Sequence, residues 1–207
     1  MPPVEIVGWV ATFVSWMIGT SQFLHLWRTR NAEGLSVLYW QLNIGVVMAW
    51  CAHGILLGAW NVAICNSGIG IASLFVLWLL HETRKISYPQ LLLPGLFVFA
   101  SLLAVDLVAG SAAFGIPVSA IQLLSNSGQA ISMVRSPSIA GVSGAFLVFL
   151  NLNQLAWGIW GWMAADSGML TASAVTEAIV GFSLVWWVLR RLGVPAFFAY
   201  QKTEVAS

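Results

Sequence analysis

Residues 22–36 read Gln22-Phe-Leu-His-Leu-Trp-Arg28-Thr-Arg-Asn-Ala-Glu-Gly34-Leu-Ser36, and residues 129–143 read Gln129-Ala-Ile-Ser-Met-Val-Arg135-Ser-Pro-Ser-Ile-Ala-Gly141-Val-Ser143. Set 107 residues apart without gaps, the two stretches share Gln, Arg, Gly and Ser in register. The match continues downstream, where Ala49-Trp50 meets Ala156-Trp157 and Gly54 meets Gly161. Gln, Arg and Trp are uncommon between apolar segments, so their recurrence at equivalent places marks an internal repeat.

The composition says where such a repeat resides. Of 207 residues, 59% are hydrophobic and only 7% are charged, with eight Lys plus Arg against seven Asp plus Glu. A soluble domain carries roughly 25% charged residues. This chain has too little charge to cover a soluble surface, which excludes a soluble enzyme, a disordered chain and a disulfide scaffold. A net charge of +1 leaves no basic footprint for nucleic acid. The expectation is a multi-pass integral membrane protein, with the lipid bilayer as its first partner.

A membrane-crossing helix needs about 20 mainly apolar residues. Seven stretches qualify: Ile6 to Leu26, Leu35 to Leu57, Asn61 to Leu80, Gln90 to Ala109, Ala112 to Val134, Gly144 to Ala164 and Met169 to Leu189. The first has no basic leader, follows Glu5 and is too long for a signal peptide. The basic residues Arg28, Arg30, Arg84, Lys85, Arg135, Arg190, Arg191 and Lys202 all fall after odd-numbered spans. Glu5 and Asp166 fall on the other side. Basic connections stay in the cytoplasm, which predicts the N-terminus outside and the C-terminus inside.

The fold expectation is all-α, with seven transmembrane helices as two parallel three-helix bundles joined by one linker helix (3+1+3). The first repeat covers residues 6–81, the linker 90–110, the second repeat 112–190 and a cytoplasmic tail 191–207. A three-helix unit that starts outside ends inside, so a second copy in the same orientation needs one extra crossing. The tail could lie on the membrane through Phe197, Phe198 and Tyr200.

Ser21-Gln22 with the basic turn and Gly34-Leu-Ser36 is similar to a PQ-loop motif. Gly128-Gln129, Arg135 and Gly141-Val-Ser143 are similar to a second copy. With Trp50, Gly54 and Asn66, the chain resembles a SWEET sugar transporter of the PQ-loop family, the seven-helix relative of the bacterial SemiSWEETs, over about residues 6 to 190. The resemblance implies a facilitative carrier of a small neutral sugar, working by alternating access through a central pocket between the repeats. It is not an enzyme and needs no cofactor or metal. The implied substrate-binding residues are Trp50 and Asn66, then Trp157 and, at the position matching Asn66, Ser173. The hinge positions are Ser21, Gln22, Gly128 and Gln129. The implied substrate is a mono- or disaccharide.

The residues support this chemistry without the family. An amide inside an apolar span needs partners, and sugar hydroxyls both donate and accept. Apolar C–H faces of a sugar ring lie well on indoles, so aromatic plates with a few polar groups suit a neutral polyol. Trp50 and Trp157 could equally be interface residues, and Asn66 and Ser173 could serve helix packing. Glu177 lies inside span seven, one turn past Ser173, and is read either as a proton or polar site or as a contact with a neighbouring helix. Among Asn43, Asn151, Asn153 and Gln154, some should line a cavity. His53 and Asp106 are expected to be structural, and Cys51 and Cys65 small packing groups.

Two other functions stay open: a proton-coupled carrier of another small solute using Glu177, and a non-transporting receptor or scaffold. A monomer already contains both pocket halves and would suffice, while a homo-oligomer stays open. Short loops and small size fit a bacterial inner membrane, with a eukaryotic plasma membrane as the alternative.

Overall fold

The structure, a computed structural model, describes residues 2–56, 58, 60–163 and 167–197. Among them the chain forms seven α-helices: α1 (Pro3–Thr29), α2 (Val37–Leu56), α3 (Trp60–Arg84), α4 (Tyr88–Ala109), α5 (Ser111–Arg135), α6 (Gly144–Met163) and α7 (Ser167–Arg191). Each covers one of the seven apolar stretches to within a few residues. Asp166, and Phe198, Tyr200 and Lys202 of the tail, lie outside the described residues.

Among the described residues, four segments are long and apolar enough to cross a membrane: Pro3–Thr29, Val62–Arg84, Tyr88–Ala109 and Ser173–Arg191. The other three helices, α2, α5 and α6, are diluted by polar side chains such as Asn43, Gln122, Asn126, Asn153 and Gln154. Those side chains point inward, as described below. The outer shell is the reverse, with Phe13, Phe97, Val108, Ile116 and Trp162 all more than half exposed. Apolar outside and polar inside is the distribution that fits a lipid-facing bundle.

The packing follows a simple scheme. Helix α1 contacts α3 and α6, α5 contacts α7 and α2, α2 contacts α3, and α6 contacts α7. Exchanging α1 with α5, α2 with α6 and α3 with α7 maps this set onto itself. Helix α4 breaks the exchange by lying against α2 and α5. There Gly45 and Gly95 bring α2 and α4 to backbone contact, so any side chain at either would meet the other helix. Pro94 inside α4 cannot donate to the Gln90 carbonyl one turn back. That carbonyl instead accepts from Gln41 Nε2 of α2 at 2.7 Å.

The connections after α1, α3 and α5, and the residues following α7, gather at one end. Arg84 donates to the Ala32 and Leu35 carbonyls, and Gly141 N–H donates to Glu33 O at 2.9 Å. Arg190 donates to the carbonyls of Met133, Ser136 and Pro137. Basic residues therefore serve this end twice, as solvent-facing charge and as braces for loop carbonyls that have no helix partner. The hydrophobic core just inside contains Leu26, Leu35, Tyr39, Trp40, Leu80, Met133, Phe146 and Leu147.

Candidate functional site

The two glutamines of the repeat are bound crosswise. Gln22 of α1 donates from Nε2 to Gly141 O (2.8 Å) and accepts at Oε1 from Ser143 N–H (2.9 Å). Gln129 of α5 donates to Gly34 O (3.1 Å) and accepts from Ser36 N–H (2.9 Å). Each glutamine thus holds the loop of the other copy through the same atoms. The clamped serines also cap the next helix. Ser36 Oγ accepts from Tyr39 N–H at 3.1 Å and Ser143 Oγ from Phe146 N–H at 3.2 Å, which satisfies otherwise orphan donors at the starts of α2 and α6. Glycine is required in the loops for space. A Cβ at Gly141 would sit 2.5 Å from Asn31 O, and one at Gly34, where φ is +80°, would sit 2.9 Å from Ile139 Cα. Beside this contact, side-chain hydrogen bonds from Ser138 and then Asn31 hold the Glu33 carboxyl below its ordinary 4.5.

Amid helices α1, α2, α3, α5, α6 and α7 lies a cavity of about 250 Å³. That is just under the usual range of small-ligand pockets, roughly 300–1,000 Å³. Trp50, Asn66, Trp157 and Ser173 all line it. Most of the lining falls into pairs 107 residues apart: Trp50 with Trp157, Asn66 with Ser173, Ser15 with Gln122, Gly19 with Asn126, Val47 with Gln154. None of the described residues that line it is charged. Tyr39 and Trp40 line its end nearest the clamps, roughly 15 Å along α2 from Trp50, and Phe146 packs against both at 5.7 and 5.6 Å between ring centroids.

Trp50 is held edge-on by His53 and Phe114, at 5.4 and 5.0 Å. His53 stacks on Phe114 at 4.5 Å and its Nδ1 meets Asp106 Oδ2 of α4 at 2.8 Å, both side chains being nearly buried. Trp157 has a comparable edge-on neighbour in Trp160, which stands where His53 stands in the first copy. Other lining groups already have partners. Asn66 Nδ2 donates to Val62 O at 2.9 Å, Asn43 Nδ2 to Ser73 Oγ at 3.0 Å, and Ser15 Oγ to Asn153 Oδ1 across α1 and α6.

Of the remaining residues singled out in the sequence, Ser21 is half-buried and donates to Ile18 O of its own helix at 2.9 Å. Gly128 leaves room for Leu38 of α2 and for Ser36, which caps α2. Both α1 and α5 run unbroken through these positions. Glu177 is half-buried and does not line the cavity, although Ser173 and Thr176 do. Its Oε2 is buried without a hydrogen-bond partner, and Oε1 faces Gly181. Asn151 donates to Leu147 O and Val180 O, tying α6 to α7 away from the cavity. Among the described residues no cluster of His, Cys, Asp or Glu could hold a metal.

Sequence reasoning missed Gln122, Ser125 and Asn126 of α5, and Tyr39 and Trp40 of α2, as cavity residues. The α5 group was findable. Gln122, Ser125, Asn126 and Gln129 recur three and four apart, a polar stripe along one helix face of an otherwise apolar segment. No protein-family model matches the chain, and no curated protein matches it closely enough to be named as a relative.

Proposed function

We propose that the protein is a facilitative transmembrane carrier for a small neutral sugar, of the SWEET type within the PQ-loop family. It works by alternating access between two parallel three-helix units, α1–α3 and α5–α7, joined by the linker α4. In this reading the N-terminus is outside, and the clamped, basic end faces the cytoplasm. The observation that carries it is the uncharged cavity lined by Trp50, Asn66, Trp157 and Ser173, whose walls come in pairs from the two copies. A cavity between two matched halves can open to either face when the halves rock. Two indoles, with amides and hydroxyls between them, suit the apolar and hydroxylic faces of one sugar ring. The crosswise glutamines and the aromatic cluster of Tyr39, Trp40 and Phe146 support a closed state at the basic end.

The test is uptake of labelled sugars into proteoliposomes, with and without a pH gradient, for the natural chain, Trp50→Ala and Asn66→Ala. The expected result is saturable, gradient-independent uptake that falls at least tenfold in Trp50→Ala and less in Asn66→Ala. Absence of uptake of any sugar by folded protein refutes the proposal. One observation favours a second reading, a proton-coupled carrier of another small solute: the unpartnered carboxylate oxygen of Glu177. Glu177→Gln separates the two, because a uniporter keeps its downhill flux while a coupled carrier loses gradient-driven accumulation.

A further inference from the structure

The cavity is built from matched positions, yet its two walls differ in chemistry. At four matched positions of α1 and α2 the first unit presents Ile18, Gly19, Val46 and Val47. At the same places in α5 and α6 the second presents Ser125, Asn126, Asn153 and Gln154. The polarity is reversed at Asn43, matched by Leu150, and Ser15 and Gln122 are both polar. The difference has a steric basis at one pair. A Cβ at Gly19 would lie 2.6 Å from the Ala72 side chain, so the first unit has no room for a polar group where the second carries Asn126.

Asn126 adds an independent sign. Its Nδ2 donates to Gln122 O at 2.8 Å, but its Oδ1 is buried with no partner. Trp40, a cavity residue whose matched position is held by the apolar Leu147, likewise has a buried Nε1–H with no partner. Buried polar groups in folded proteins are almost always paired. Here one lone acceptor and one lone donor occur in residues that line the same cavity, and neither is duplicated in the other copy.

Resting on the sugar-carrier reading above, we propose that the solute binds in one fixed orientation. Its hydroxyl edge lies against α5 and α6 and donates to Asn126 Oδ1, while its less polar flank lies against Val46 and Val47. Trp40 Nε1–H donates to a solute oxygen at the clamped end. Both lone atoms are sealed from water in this conformation, so they pair as the walls rearrange around the solute. Turning the solute by the exchange that relates the two units would lose both contacts. The asymmetry therefore selects one face of the substrate although the scaffold is a repeat.

The test joins two measurements on purified full-length protein. The first is thermal unfolding without solute. Asn126→Leu keeps the shape and removes the lone acceptor, so its melting temperature should equal or exceed that of the natural chain. A clear fall would overturn the inference by showing a structural role. The second is binding of D-glucose and the monodeoxy-D-glucoses, followed by indole fluorescence. Asn126→Leu, Gln154→Val and Trp40→Phe should each weaken D-glucose binding roughly tenfold. Val47→Ala in the opposite wall, which loses only apolar contact with the solute, should weaken it less than any of these three. One monodeoxyglucose should bind the natural chain more weakly than D-glucose but bind Asn126→Leu equally, because its missing hydroxyl is the one Asn126 accepts from. Equal losses from both walls, or no loss in Asn126→Leu, would overturn the inference while leaving the carrier reading intact. If no sugar binds the natural chain, the carrier reading fails, and the unfolding measurement alone decides whether Asn126 is kept for a ligand.

Discussion

The two copies of the 107-residue repeat agree most closely where they hold each other and least where they face the cavity. At the basic end Gln22 and Gln129 make the same pair of hydrogen bonds, Ser36 and Ser143 make the same caps, and Gly34 and Gly141 both admit close backbone contact. In the cavity the same spacing matches Gly19 with Asn126 and Val47 with Gln154. Contacts between two copies require both partners to keep complementary shape. A cavity that meets an asymmetric small molecule has no such requirement, so its two walls are free to differ.

The largest expected effect tests the symmetric end. Gln22→Ala leaves the buried Gly141 carbonyl and Ser143 N–H without partners, and Gln129→Ala does the same to Gly34 and Ser36. Each should cost roughly 2–4 kcal/mol, since an unpaired buried group costs about 1–3 kcal/mol. The two losses should agree to within about 1 kcal/mol when measured by thermal or denaturant unfolding in detergent. Unequal losses would break the comparison, because they would show that one loop depends on its clamp and the other does not. Gly141→Ala should be worse than either, because a Cβ there meets backbone atoms of residues 31–33 that cannot swing away.

These contacts also show how far the sequence could be read. The seven helices were legible because each is a long apolar stretch ended by polar or basic residues. The repeat was legible because Gln, Arg, Gly and Trp recur at one spacing. That Gln22 reaches the second copy rather than its own was not legible. A repeat reveals equivalent positions, and either the near or the far loop could have received the side chain. Trp50, Asn66, Trp157 and Ser173 could be nominated through the resemblance, and they do share one cavity. Asn126 and Trp40 could not be found by matching, since each faces a residue of different chemistry in the other copy. Glu177 shows the limit of helix spacing. A residue four positions from Ser173 lies near the same face, but Thr176, three positions on, lines the cavity and Glu177 does not.

A smaller effect concerns how each cavity indole is supported. His53, tied to Asp106 of α4, backs Trp50, whereas Trp160 backs Trp157 with no such tie to α4 among the described residues. Asp106→Leu should destabilise the protein by about 1–2 kcal/mol through the lost buried hydrogen bond. It should also weaken solute binding a few-fold, by freeing His53 and hence Trp50. Trp160→Phe, which keeps an edge-on ring, should leave both nearly unchanged. A reversed ranking would mean that α4 contributes nothing to the cavity and serves only to connect.

The smallest effect sharpens the comparison at its most exposed point. Glu33 has no acidic copy, because Ala140 stands at the matched position of the second loop. The hydrogen bonds from Ser138 and Asn31 that depress the Glu33 carboxyl favour its charged form in the folded state. Its contribution is therefore present above the ordinary carboxylate value and is lost as pH falls through the lower folded value. Glu33→Gln should lower the melting temperature at pH 7 by roughly 1–2 °C at most, because the group is exposed and screened. The difference should shrink as pH falls below the ordinary carboxylate value and through the lower folded one. An undiminished difference in acid would mean that Glu33 acts through the shape and neutral hydrogen bonds of its side chain and not through its charge. The second loop, which lacks the charge, would then be the better guide to what this end of the molecule needs.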